Sequence, residues 1–283
     1  MIRIIADTTS SIPVEEAARL GIGYLPQIIV FGEKSYRDDN ELSSEQFLEL
    51  LKGSSALPKT AAPPPVLYNP IYEEVVKAGD TAIVLCPSSE MSGTFRSATV
   101  AAEDFPHADI RIIDTRTIGG GLATLVLKAV EMVNTGATAD EIITTIKEMS
   151  CRERIFFLVD TLEYLQKGGR IGGAQALVGS LLQVKPILTV KDGRVVPGES
   201  QRTKRRALAR IIELIQSNMP ANPTDAQISI FHGGVPGEAG QLGEDIRAAV
   251  GVPEVRIYNM PPAIIVHAGP GVIAVSIFTD TPQ

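Results

Sequence analysis

The chain has 283 residues, 44% of them hydrophobic and 21% charged, with a formal net charge of -7. That length exceeds one ordinary core of about 100–150 residues and points to two domains. The acidic balance argues against a non-specific nucleic-acid binder, which needs a basic footprint for phosphates, and against a surface that grips anionic lipid headgroups.

The elements follow α/β grammar. Ile2 to Ala6 is a short apolar run ending in Asp7-Thr8-Thr9-Ser10-Ser11, so a strand leads through a polar turn to a helix near Pro13, with Glu15 and Glu16 in its first turn. The same segment lacks a basic stretch followed by a long apolar one, so it does not read as a signal peptide. No apolar run reaches the length of a membrane span, and the expectation is a cytoplasmic protein without stable membrane insertion. Tyr24 to Phe31 reads as a second strand, Lys34-Ser35-Tyr36 as a short return, and Ser43 to Leu51 as a helix capped by Ser43 or Ser44. The prolines of Pro58-Lys59-Thr60-Ala61-Ala62-Pro63-Pro64-Pro65 forbid helix interior and ladder pairing, which predicts a stiff extended loop. A helix over Val66 to Ala78, a strand over Thr81 to Cys86, a helix from about Phe95, a strand over Ile110 to Ile113 and helices over Leu122 to Val133 and Asp140 to Met149 complete this half. Its strands end in turns rich in hydroxyls or Asp, and in open parallel sheets such carboxyl ends form the ligand crevice.

After Cys151 the pattern restarts. Strands are expected at Arg154 to Val159, Gln227 to Phe231, Glu254 to Tyr258 and Gly271 to Phe278, and helices at Leu162 to Lys167, Ala174 to Leu182, Arg202 to Ser217 and Glu238 to Val250. Lys185 to Val190 and Arg194 to Glu199 flank Asp192-Gly193, a hairpin signal.

The two cysteines, Cys86 and Cys151, stand far apart and read as small buried hydrophobes of a reducing compartment. With three scattered histidines, His107, His232 and His267, no zinc spacing exists, and neither metal nor cofactor is expected.

Three stretches could carry chemistry. In Ser88-Ser89-Glu90-Met91-Ser92-Gly93-Thr94, hydroxyls crowd the start of a helix whose first N–H groups lack partners, and Gly93 lets the backbone approach a ligand. Plain N-capping explains one hydroxyl; an anion site explains the set. His267-Ala268-Gly269-Pro270-Gly271 reads as a turn that presents one histidine after the apolar Ile264-Ile265-Val266, either a satisfied structural residue or a donor to a carboxylate. Thr60, beside the prolines, is a solvated loop threonine or a rigidly held donor. Lys167-Gly168-Gly169-Arg170 and Arg202-Thr203-Lys204-Arg205-Arg206 are solvated helix faces or positive charge offered to a partner or a phosphate. Gly119-Gly120-Gly121 lacks phosphate-loop spacing and is better read as tight packing at a helix start.

Taken together, Asp7-Thr8-Thr9-Ser10, Lys59-Thr60, the Ser88 to Thr94 loop, Leu165-Gln166-Lys167-Gly168-Gly169-Arg170-Ile171, Lys185-Pro186-Ile187-Leu188 and His267-Ala268-Gly269-Pro270-Gly271 resemble the DegV family, from the first strand to the last. The resemblance implies two α/β domains with a fatty acid between them; the restart after Cys151 sets them at 1–151, with a mainly parallel sheet, and 152–283, with a mixed one. The resemblance also implies the fatty-acid-binding subunit of a bacterial fatty acid kinase, without catalytic residues of its own. A separate kinase subunit phosphorylates the carboxylate to an acyl-phosphate that feeds phospholipid synthesis. By the resemblance Ser92 and His267 hold the carboxylate with Thr60 beside them. Gly93, Thr94 and Gly269 belong to the same ligand site, and Arg170 and Arg202 lie near the head-group opening where the kinase subunit docks. One departure stands out: family members usually follow this threonine with a serine and often carry another further on, whereas here the stretch is Thr60-Ala61-Ala62-Pro63-Pro64.

The physics of a lipid site agrees. A carboxylate in an apolar pocket needs donors, and hydroxyls plus an imidazole supply them. A tail of ~15 carbons gains roughly 12 kcal/mol at about 0.8 kcal/mol per buried CH₂, against at least about 4 kcal/mol for immobilisation. Two other readings stay open on sequence: a stand-alone phosphotransferase or hydrolase using Ser92 or His267, and a lipid-sensing regulator.

Overall fold

The computed structural model describes residues 1–54, 56–178 and 184–283. In chain order the elements are β1 (Ile2–Asp7), α1 (Val14–Arg19), β2 (Gly23–Leu25), β3 (Ile28–Phe31), β4 (Lys34–Arg37), α2 (Ser44–Lys52), β5 (Lys59–Ala61), α3 (Asn69–Ala78), β6 (Thr81–Cys86), α4 (Thr94–Glu103), β7 (Asp109–Asp114), α5 (Gly120–Asn134) and α6 (Ala139–Arg152). They continue with β8 (Glu153–Leu158), α7 (Glu163–Lys167), β9 (Lys185–Lys191), β10 (Arg194–Gln201), α8 (Lys204–Ser217), β11 (Ile228–His232), α9 (Pro236–Val250), β12 (Arg256–Asn259), α10 (Pro262–Ala268) and β13 (Ile273–Phe278).

This is an α/β protein with a parallel N-terminal sheet and a mixed C-terminal sheet. The first has the order β2-β1-β6-β7, parallel throughout. The second has the order β10-β9-β8-β13-β11-β12, antiparallel except for β11 and β12. A small antiparallel sheet, β4-β3-β5, contains the expected short return as β4 and adds β5, which was not foreseen.

That third sheet corrects two expectations. Tyr24 to Phe31 is not one strand: β2 joins the parallel sheet and β3 leaves it, divided at Pro26-Gln27, because Pro26 has no N–H to continue a ladder. The expected loop at 58–65 begins as β5, which pairs antiparallel with β3 through Lys59–Ala61 and leaves Pro63–Pro65 outside the ladder. Beyond the prolines, Pro65–Leu67 forms a 3-10 turn and α3 starts at Asn69, three residues later than expected. The helix expected over Ala174 to Leu182 is a 3-10 segment, Gly172–Leu177, and its residues 179–182 lie outside the described residues. Cys86 is buried as expected, but Cys151, near the end of α6, is exposed.

Helix α5 fastens the two larger sheets together, touching β1 and β6 on one side and β11 and β13 on the other. Its glycine start is a matter of packing. Gly119 has φ +64, and a Cβ there would run into the Phe231 ring; one on Gly120 would meet Ser229 Oγ, and one on Gly121 would overlap the Glu153 carboxyl. The glycines let the helix lie directly on the mixed sheet, so they cradle protein rather than phosphate.

Candidate functional site

A cavity lies between the carboxyl edge of the parallel sheet and one face of the mixed sheet. Thr9 follows β1, Met91, Ser92 and Gly93 follow β6, and Ile118 follows β7, so three successive strand ends reach it. The β3–β5 region adds Gln27, Thr60 and Ala62. The opposite wall is the inward face of the mixed sheet, with Ile155, Phe157, Val190, Val195, Phe231 and Ala274, closed by Leu165, Met260 and the α10 residues Ala263, Ile264, His267 and Ala268. The cavity gives the centre of a water-sized sphere about 110 Å³, several times the ~10–15 Å³ that one water requires. Its polar groups gather at one end; the remaining walls are hydrocarbon.

At the polar end Thr60 Oγ1 and His267 Nε2 lie 2.8 Å apart although 207 residues separate them. His267 sits in the last turn of α10, not in a turn as expected; the prolines at 261 and 262 open that short helix. His267 Nδ1 is buried without a partner, packed on Gly168, where a Cβ would strike it. An orphaned lone pair costs less than an orphaned N–H. The imidazole therefore carries its proton on Nε2 and donates to Thr60, leaving the Thr60 hydroxyl proton for another acceptor. Burial, reinforced by the Arg170 charge, lowers the His267 pKa to about 4, so the ring is neutral at physiological pH.

Ser92 is held by a second chain of hydrogen bonds. The buried Asp7 carboxylate accepts from the Thr9 N–H at 2.9 Å, from the Thr9 hydroxyl, from Gln27 Nε2 at 2.7 Å and from Thr94 Oγ1 at 2.8 Å. Burial pushes the Asp7 pKa up, against these four donors. Thr94 spends its only proton on Asp7, so the 2.9 Å contact between Ser92 and Thr94 has Ser92 as donor. Gln27 Nε2 also donates to Thr94 Oγ1, at 2.9 Å, so Thr94 keeps a donor if Ser92 turns away.

The C-terminal half steadies the loop that carries Ser92. Ser88 Oγ donates to the Gly193 carbonyl at the hairpin tip, at 2.7 Å, Arg194 pairs with Glu90 at 2.7 Å, and Arg170 Nε donates to the Met91 carbonyl at 3.0 Å. Arg170 also holds the Gly168 carbonyl at 2.7 Å. On the other side of the Thr60–His267 pair is a second pocket, formed by Leu57, Pro58, Lys59, Lys167, Gly168 and Val266. Thr60, Arg170 and His267 line both spaces and form the wall between them.

Of the residues singled out from sequence, Thr60, Ser92, Gly93, Arg170 and His267 share one cavity. Thr94 stands behind it, acting through Ser92 and Asp7. Gly269, at φ +83, closes α10 against the Tyr164 ring. Arg202 is exposed just before α8 and lines neither space. Sequence reasoning passed over Asp7 and Gln27. The available signal for Gln27 was a lone amide inside the apolar run 24–31; Asp7 belonged to a quoted motif but had no assigned role.

A sequence model of the DegV family, described as uncharacterised proteins, matches residues 1–280. The chain belongs to the DegV family. Among DegV-family relatives, the protein DegV of Bacillus subtilis is 34% identical over 277 residues, covering 97% of this chain and 98% of its own. A solved DegV-family protein of Thermus thermophilus, described by its fatty acid binding, superposes with a TM-score of 0.92 at 28% identity, over 98% of this chain and 99% of its own. The solved DegV of Bacillus subtilis, described as a fatty acid binding protein, gives 0.86 at 33% identity, over 99% of both chains. Among the described residues, no helix is long and apolar enough to cross a membrane.

Proposed function

We propose that this chain encloses a long-chain fatty acid and presents its carboxylate to a separate kinase subunit, which phosphorylates it to an acyl-phosphate for phospholipid synthesis. The observation that carries this reading is a cavity with largely hydrocarbon walls on which the Thr60, Ser92 and His267 donors and the Arg170 guanidinium open. In this reading residues 1–151 and 152–283 are two domains that close on the ligand. The tail occupies the space between Leu165, Phe157, Phe231 and Ala274, and the carboxylate takes the Thr60 proton and the Ser92 hydroxyl, which swings from Thr94. His267 acts through Thr60. The fatty-acid binding described for the Thermus thermophilus and Bacillus subtilis relatives supports the ligand class.

The kinase step rests on the outer pocket. Lys59 and Lys167 are exposed on its rim, with Lys167 paired to Glu163 at 2.5 Å. Positive charge beside a carboxylate suits the approach of a nucleotide phosphate carried by another protein, and this sequence has no phosphate loop. Arg202, exposed on the C-terminal half, is assigned to that partner's encounter, where a rim charge governs association rate and salt dependence.

The purified protein is expected to carry about one fatty acid per chain, as enclosed pockets retain their ligands. Denaturing extraction followed by mass spectrometry tests this; no extracted fatty acid, together with no binding of added fatty acid, would refute it. With labelled ATP, acyl-phosphate should form only when a kinase subunit is added. Product formed by this chain alone would make it an enzyme in its own right.

A further inference from the structure

On the mixed-sheet side, part of the cavity wall is one side chain thick. Ile155 on β8 and Val190 on β9 line the main cavity and also a separate cleft on the outside of the protein. The two strands are neighbours in the mixed sheet, and both side chains are nearly inaccessible, at 3% and 6% exposure. Side chains two apart on a strand share a face and step about 7 Å along it. Along β8, Phe157 lines the cavity alone, Ile155 lines both spaces, and Glu153 lines the outer cleft alone. On the other side of these two side chains the cleft is lined by the buried Glu153 and by the exposed Arg116 and Asp192.

We propose that Ile155 and Val190 set the longest acyl chain this protein admits, and that the cleft behind them receives the last carbons of a longer chain once the wall is thinned. The inference rests on the fatty-acid reading above. Neither residue touches the polar end, so trimming them changes room for the tail while leaving carboxylate recognition in place. A chain too long for the parent must bend or leave methylenes in water. With the wall thinned, each further CH₂ that reaches the cleft regains its burial.

The test is competition binding of a ladder of saturated straight-chain fatty acids to the full chain, with thermal unfolding of each variant. Ile155→Val combined with Val190→Ala should move the preferred length up by about two carbons, with the longer chain gaining on the order of tenfold relative to the parent's optimum. Val190→Leu, which thickens the wall, should move the preference to shorter chains. The two changes act in opposite directions, so a general loss of packing cannot imitate the result. A folded set of variants with the parent's length profile, or with equal loss at every length, would overturn the proposal. A parent that binds no member of the ladder would instead overturn the fatty-acid reading, and this inference with it.

Discussion

Replacing His267 with alanine is expected to weaken fatty-acid binding by about 1.5–3 kcal/mol, roughly 10- to 150-fold, while the protein remains folded. The imidazole donates to Thr60 at 2.8 Å and so fixes the direction of the Thr60 proton. Without it Thr60 turns freely, and a buried carboxylate loses an oriented donor. Thr60→Val removes the donor itself. Because the two residues act as one unit, the double variant should lose less than the sum of the singles, with a coupling of about 1 kcal/mol. Ser92→Ala removes the other hydroxyl and should also weaken binding. Kinase-dependent acyl-phosphate formation should fall further than binding in all three, since a misaligned carboxylate is a poor nucleophile even when the tail is held. Binding is measured by titration with a fluorescent fatty acid, and turnover with labelled ATP and the kinase subunit. Three variants that bind and turn over like the parent would remove these residues from the head-group site.

The sequence disclosed elements better than their meetings. Strands β1, β6 and β7 are apolar runs bounded by polar turns, and the Asp192-Gly193 hairpin appears where expected, with φ of 50° and 76°. Helix α10 was hidden because proline before an apolar stretch and glycine after it both read as turn residues, although proline at a first helical position is a start signal. The β3–β5 pairing brings together segments about thirty residues apart, and a local pattern of apolar residues carries no register for such a pair. The site shows the same limit. Thr60, Ser92 and His267 were legible as residue types in suggestive settings. The Thr60–His267 hydrogen bond, the Asp7–Thr94–Ser92 chain and the clasp of Arg170 on Met91 exist only after the sheets have packed. Arg170 was expected near the head-group opening; it lines both the cavity and the outer pocket beside Thr60 and His267, and what the sequence did not show is that two of its donors hold carbonyls of this chain.

Replacing Glu153 with glutamine is expected to raise stability above pH ~7 by about 3 kcal/mol and to leave it unchanged below the ordinary carboxyl value. Glu153 is 4% exposed, beneath the glycine start of α5, and burial raises its pKa from 4.5 to about 7. The Ser276 hydroxyl, donating at 2.6 Å, opposes this rise without cancelling it. Between those two pH values the folded chain holds a proton that the unfolded chain has released. Stability therefore falls as pH rises through the window, by about 1.4 kcal/mol for each step of one in pH. Glutamine is nearly the same size, can still accept from Ser276, and has no proton to lose. Asp38, pushed up by burial to about 7, adds a loss of the same sign. His267 acts oppositely: its pKa is lowered from 6.5 to about 4, so the unfolded chain gains a proton first and stability falls as pH drops through that range. His267 therefore offsets part of the loss that Glu153 and Asp38 cause over the same range without reversing it, so these three groups make the parent less stable as pH rises toward about 7, and Glu153→Gln should make that decline shallower. Urea unfolding across the pH range checks this. A variant offset from the parent by the same amount at every pH would show that Glu153 titrates alike in the folded and unfolded chain, and a variant less stable at alkaline pH would show that the charge itself is needed there.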